Sequence, residues 1–122
     1  MATIKSLTSL EQSKKLAEIL PLESADMYWW YSGRRYYIEA MDDGDFNEEE
    51  GHIRAWSLAA LLELLPKRLE IVDNVYELSV YLYGLYYWNI NNGNLCFESK
   101  DKDNLVDACV DMIIKLHECK ML

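Results

Sequence analysis

Twelve of the chain's thirteen tyrosines and tryptophans are crowded into two stretches, six in residues 28–37 and six in residues 76–88. Side chains with an apolar ring and a polar tip suit strands that are buried on one face and wet on the other. Each stretch is also split by glycine, so each is expected to fold as a β-hairpin. In the first, residues 27–31 and 34–41 flank Ser32-Gly33; in the second, residues 75–83 and 86–90 flank Gly84-Leu85. Asn91-Asn92-Gly93-Asn94 then signals another turn, leading to a last strand over residues 95–99. Pro66 can open an edge strand over residues 66–71, where a missing N–H is tolerated. In the first hairpin, rings occupy consecutive positions, so both faces of the ribbon need cover.

Three segments carry helical spacing. Residues 8–20 place Leu10, Ala17 and Leu20 on one face, with Leu16 beside them; Thr8 is the expected cap, Glu11 closes a capping box, and Pro21 stops the helix. Residues 58–65 follow Ser57 as cap, bury a stripe of Leu58, Leu61, Leu62 and Leu65, and end at Pro66, with Trp56 packed just before the cap. Residues 105–118 follow Asn104, with Asp107 at the third position. Their inner stripe is Leu105, Cys109, Met112, Leu116 and Cys119, widened by Val106 and Ile113. The order predicts an α+β fold: a mainly antiparallel sheet of four to five strands built from two hairpins, with three helices packed mostly on one face. At 122 residues the chain is expected to form one domain over residues 1–122.

Charge is concentrated in one place. Residues 39–50 hold seven acidic side chains and no basic one, so of the net −9 only −2 belongs to everything else. Residues 42–51 break all periodicity and read as a mobile acidic loop, with a turn of helix at Glu48–Glu50. The tight basic pairs are Lys14-Lys15, Arg34-Arg35 and Lys67-Arg68. This balance disfavours direct nucleic-acid binding, which needs clustered cations. The N-terminus lacks the apolar centre of a signal peptide, and no uncharged apolar run reaches the ~18 residues of a membrane span. A cytoplasmic protein is expected, with Cys96, Cys109 and Cys119 as reduced thiols buried for structural reasons.

Asp42, Asp43, Asp45, Glu48, Glu49 and Glu50 offer hard oxygens, but an EF-hand loop wants Gly at its sixth position. From Asp43 that position is Glu48, and from Asp45 it is Glu50, so no metal site is expected. His52 beside the acids could serve as a base, and those carboxylates would favour its charged form. His117 suits the end of the last helix as a cation. The three cysteines and two histidines lack the spacing of a zinc site. Glu39 and Glu77 could face one another across a sheet. Nucleophile elbows, phosphate loops and dinucleotide fingerprints are absent from the sequence, so no catalytic residue and no cofactor are assigned. Several readings of the acids and rings remain. Trp29 and Trp30, with Arg34 and Arg35, could meet a protein partner together with the acidic loop, or the rings could pack under helices and at a homodimer seam. Alternatively, closely spaced carboxylates could imitate a phosphate backbone and block a nucleic-acid-handling enzyme. The remaining alternative is an enzyme with an unrecognised site, which would need a deep pocket holding a carboxylate or histidine of perturbed pKa.

The segment Ala55-Trp56-Ser57-Leu58-Ala59-Ala60-Leu61-Leu62-Glu63-Leu64-Leu65-Pro66, and the helical run from Leu105 to Glu118, resemble small uncharacterised proteins of gut Bacteroidales and their phages or integrated elements. The opening Thr8-Ser9-Leu10-Glu11-Gln12-Ser13-Lys14-Lys15-Leu16 and the Tyr-Trp-rich hairpin are similar in style. The resemblance implies a cytoplasmic accessory protein of a phage or mobile element. It transfers no catalytic residue. The function expected is therefore a non-catalytic protein-interaction module, which binds a host or phage protein through the acidic loop and exposed aromatics.

Overall fold

The rings do form strand ribbons. In the computed structural model of the chain, residues 5–82, 84–100 and 102–122 are described, Asp43 by its backbone alone. These residues make three α-helices and seven strands, an α+β fold. The helices are α1 (Leu10–Ala17), α2 (Leu58–Leu64) and α3 (Leu105–Glu118). The strands are β1 (Met27–Tyr31), β2 (Tyr36–Ala40), β3 (Ile53–Ala55), β4 (Arg68–Ile71), β5 (Asn74–Tyr81), β6 (Gly84–Asn89) and β7 (Leu95–Ser99). They divide into two antiparallel sheets, β2-β1-β3 and β4-β5-β6-β7, where the sequence suggested one. The division follows from β3, which pairs with β1 on the side away from β2 and completes a separate small sheet. As expected, the strand after Pro66 lies at an edge.

The four-stranded sheet buries Leu69, Leu85 and Tyr87 on its inner face, and α3 packs against β6 and β7. From α3 come Val106, Cys109, Met112, Ile113 and Leu116, and Leu61 and Leu65 join them from α2 and its end. Leu16 of α1 and Trp56, both without solvent exposure, extend the same core toward the three-stranded sheet. Each large aliphatic side chain so buried contributes roughly 1.5–3 kcal/mol. Trp56 is also locked through its polar groups: its indole N–H donates to Ser24 Oγ (3.0 Å), and its backbone exchanges bonds with Thr8.

Thr8 is consequently not the cap of α1. Its hydroxyl is buried against Ser13 Oγ (2.7 Å) and accepts from the Trp56 N–H (3.1 Å). Ser9 caps the helix, and Gln12, not Glu11, closes the box by accepting from the Ser9 N–H (3.0 Å). Gln12 can also reach the first turn of α3, which Glu11, on the exposed side, does not. Its Nε2 donates to Asp107 Oδ1 (2.8 Å), while Lys5 Nζ bonds both Gln12 Oε1 (2.7 Å) and Asp107 Oδ1 (2.8 Å). Asp107 meanwhile accepts from Asn104 Nδ2 at the cap of α3 (2.9 Å). Two helix N-termini are thereby joined by one shared carboxylate, where its negative charge also suits the helix dipole.

The second hairpin turns one step earlier than the glycine suggests. Tyr81 pairs with Gly84, so Gly84 and Leu85 belong to β6 and not to the turn. Tyr83, assigned to the strand from sequence, lies outside the described residues. Gly84 is needed for space: a Cβ there would stand 2.8 Å from the Ser99 carbonyl oxygen of β7. The first hairpin has a four-residue loop, residues 32–35, closed by Ser32 N–H donating to the Arg35 carbonyl (3.0 Å). Glu39 and Glu77 do not face one another, because they lie in different sheets; Glu39 is opposite Tyr28 and Glu77 opposite Arg68. Among the described residues, no helix is long and apolar enough to cross a membrane.

Two outcomes are expected. Ile113→Asp places an unpaired carboxylate in the core at a cost of roughly 3–5 kcal/mol, so Tm by calorimetry should fall by more than about 10 °C. Asp107 is held below the usual carboxylate range: burial alone would raise it, but the bonds from Lys5, Gln12 and Asn104 and the Lys5 charge outweigh that. Its contribution is complete above the ordinary Asp value and is lost as pH falls through the lowered one. Asp107→Ala should cost about 1–2 kcal/mol at pH 7, and the difference from wild type should shrink in melts below about pH 4.

Candidate partner-binding face

Alternation along β1 sends its rings to opposite faces of the small sheet. Trp29 goes to the face near the N-terminal segment, where its indole N–H donates to the Thr8 carbonyl (3.3 Å). Tyr28 and Trp30 go to the other face, with their cross-strand partners Glu39, Tyr37 and Arg54. Trp30 stacks on Tyr37 with centroids 4.9 Å apart, and the Arg35 guanidinium sits 4.6 Å above the Tyr37 ring, a cation–π contact. Arg34 is exposed in the hairpin loop. At the tip, Tyr31 and Tyr36 lie 5.0 Å apart, with Tyr31 56% exposed.

The acidic run returns onto this same face. Its one ring, Phe46, meets Tyr28 edge-on at 5.5 Å, and the His52 imidazole stacks on Tyr28 at 5.1 Å and 17°. Tyr28 is left 1% exposed, with its hydroxyl donating to Glu39 Oε2 (2.9 Å). Two short 3-10 turns, Met41–Asp43 and Glu48–Glu50, fold the segment, and each ends at a left-handed glycine, Gly44 (φ 76°) and Gly51 (φ 85°). Asn47 caps the second turn by accepting from the Glu49 N–H (2.9 Å), and its own N–H donates to His52 Nδ1 (3.0 Å). The other ring nitrogen, His52 Nε2, faces Glu50 Oε2 at 3.8 Å.

The seven acids fall into distinct roles. Glu48 is committed to Arg54, whose Nε donates to it at 2.7 Å while its Nη1 holds the Leu20 carbonyl (3.0 Å). Glu39 is committed to Tyr28 and Glu50 lies beside His52. Asp42, Asp45 and Glu49 are exposed; the side chain of Asp43 lies outside the described residues. Among the described residues, no three His, Cys, Asp or Glu side chains converge as metal ligands would. The structure thus brings Trp30, Arg35, Glu48 and Glu50 to one face and leaves Trp29 on the other. Tyr28, Tyr37, Phe46 and Arg54 complete that face without having been singled out in the sequence. A lone phenylalanine among acids was the available signal, since a ring amid carboxylates needs a docking place.

Two other features bear on chemistry. From the second aromatic stretch, Tyr81, Tyr86 and Trp88 form a row on the outer face of the four-stranded sheet, with centroids 5.3 and 5.5 Å apart, while Tyr87 faces the core. Beside α2, an open groove of about 510 Å³ is lined by Leu62, Lys67, Arg68, Glu77, Leu78 and Val80. Its carboxylate, Glu77, is paired with Arg68 at 3.0 Å and so is engaged in holding the strand edge.

The thiols are not all buried. Cys109 lies in the core, where burial pushes its thiol up to about 12, and the same burial, then Cys109, raises the neighbouring Tyr87 hydroxyl. Cys96 and Cys119 are exposed, because Cys96 lies at a bulge in β7 and Cys119 caps the end of α3.

Phe46→Ala should release the segment while sparing the main core. The expected result is a loss of about 1–2 kcal/mol, smaller than a full core truncation because Phe46 is only half-buried, with faster amide exchange at Asn47 and Glu49 than in wild type. Comparison of this chain with protein-family profiles, curated proteins and solved structures yields no match.

Proposed function

We propose that this protein is a non-catalytic interaction module whose partner is another protein, met at the face formed by the first hairpin and the acidic segment. One observation carries the reading: Phe46 and His52 clasp the acidic run onto Tyr28, on the face where Arg35, Tyr37 and Trp30 stack. The result is a surface with a cation at one end, rings in the middle and carboxylates at the other end. Rings and arginine are enriched at protein interfaces, and a bipolar charge pattern fixes orientation and partner choice. An accessory role for a phage or mobile element in the cytoplasm fits this reading and rests on the sequence resemblance alone.

The test is capture of a partner from host or phage lysate by the full chain. It is compared with a variant carrying Asp42→Asn, Asp45→Asn and Glu49→Gln, three side chains that are exposed in the structure. The variant should melt within about 2 °C of wild type, as surface changes usually do, and should lose the partner. Tyr37→Ala should lose it too. Capture indifferent to both changes would overturn the proposal. Capture of a nucleic-acid-handling enzyme, displaced by competing DNA, would replace it with phosphate mimicry.

A further inference from the structure

Strand β5 outruns its neighbour. It pairs with β6 as far as Tyr81, whereas its pairing with β4 stops at Arg68 and Glu77. One bond extends that ladder, the Leu78 N–H donating to the Lys67 carbonyl (3.0 Å). Pro66 departs from it: its carbonyl accepts from the Tyr87 hydroxyl (2.6 Å), and Leu65 before it belongs to the core. Backbone groups along a strand point to alternate sides, so Val80 turns its N–H and carbonyl the same way as Leu78. Among the described residues, no strand stands on that side of Val80. The last residues of β5 are thus an open edge beside the start of β4.

The side chains next to this edge are uncovered as well. Val80 and its cross-strand partner Leu85 share the inner face, yet Leu85 is fully buried and Val80 is 46% exposed. Val80 lines the groove of about 510 Å³ beside α2, together with the half-buried Leu62 and Leu78. Lys67, Arg68 and Glu77 complete the lining. Arg68 is paired with Glu77, whereas Lys67 is exposed and forms no ion pair among the described residues. An apolar floor, an open strand edge and one uncompensated cation therefore meet at one place.

We propose that this notch is a docking site for the C-terminal end of an extended peptide, one whose last residue is apolar and whose carboxylate is free. Strand addition to an open edge draws its affinity from backbone bonds and its selectivity from side-chain pockets. A peptide lying in line with β4 runs antiparallel to β5, as β4 does, so its C-terminal end abuts Lys67. The opposite direction would bring a terminal ammonium against the lysine and is disfavoured by charge. The last residue, opposite Val80, donates its N–H to the Val80 carbonyl and accepts from the Val80 N–H through one carboxylate oxygen. Its side chain then falls on the inner face, over Leu62 and Leu78. The peptide ends there because Pro66 and Lys67 already occupy the positions beyond. This site is on the four-stranded sheet, apart from the first hairpin, and does not rest on the reading given for that face.

The test titrates the isotope-labelled full chain with acetyl-alanyl-valyl-leucine bearing a free carboxylate, and follows the backbone amide resonances. Saturable shifts are expected at Val80, Leu78 and Lys67, with slower solvent exchange of the Val80 N–H at saturation. The carboxamide of the same peptide should bind about tenfold more weakly, as loss of one charge-assisted hydrogen bond predicts. Lys67→Ala, a change at an exposed side chain, should weaken the free acid by a similar factor and leave the melting temperature near that of wild type. A Val80 amide that does not move at millimolar peptide, a carboxamide that binds as well as the acid, or shifts confined to the first hairpin would each overturn the proposal. Shifts at Val80 that grow with protein concentration in the absence of peptide would overturn it too, and would assign the open edge to a second copy of this chain.

Discussion

The packing of Phe46 and His52 on Tyr28 is the contact on which the arrangement of the proposed partner-binding face depends. Without it, a run of carboxylates has no physical reason to lie against a sheet: each prefers water, and together they repel. The two rings provide the apolar contact, and Arg54 of β3 pairs with Glu48 at 2.7 Å. What remains outside is a short row of exposed acids whose position is set by the sheet. A loop of the same charge without a ring would project its carboxylates over a wide volume. The distinction matters for binding, because a preordered surface loses less conformational freedom when a partner docks.

The small sheet can serve as a platform because it is joined to the main core through Trp56, which follows directly on β3. Trp56 is fully buried, bonded to Ser24 and to Thr8, and succeeded by Ser57, which caps α2 and holds Asp26 just before β1. The N-terminal segment is fastened again where Lys5 and Gln12 share Asp107 at the start of α3. Polar groups at these junctions are satisfied by partners distant in sequence, which specifies the relative placement of helices more narrowly than apolar burial does.

Features set by neighbours in the chain were legible in the sequence. Ser57 and Asn104 cap their helices, the Asn-rich turn leads into β7, and both hairpins form, because each depends on residues within a few positions. The departures occur where a distant group decides. Thr8 looks like a cap, but Trp56 takes its hydroxyl, and Ser9 performs the task one residue later. Gly84 looks like a turn residue, but its need comes from the Ser99 carbonyl on another strand. Strand β3 is only Ile53–Ala55, too short to show alternation, and it exists because β1 offers an edge. The acidic site residues were visible as a cluster. Their sorting into exposed and committed groups required the fold.

The most direct measurement is a nuclear Overhauser spectrum of the labelled full chain, read for contacts between the Phe46, Tyr28 and His52 rings. The account predicts strong cross-peaks from Tyr28 to both other rings, with resonances of residues 45–52 dispersed as in folded protein. Absent cross-peaks, with residues 45–50 at random-coil shifts and narrow linewidths, would show the acidic run detached from the sheet and contradict it.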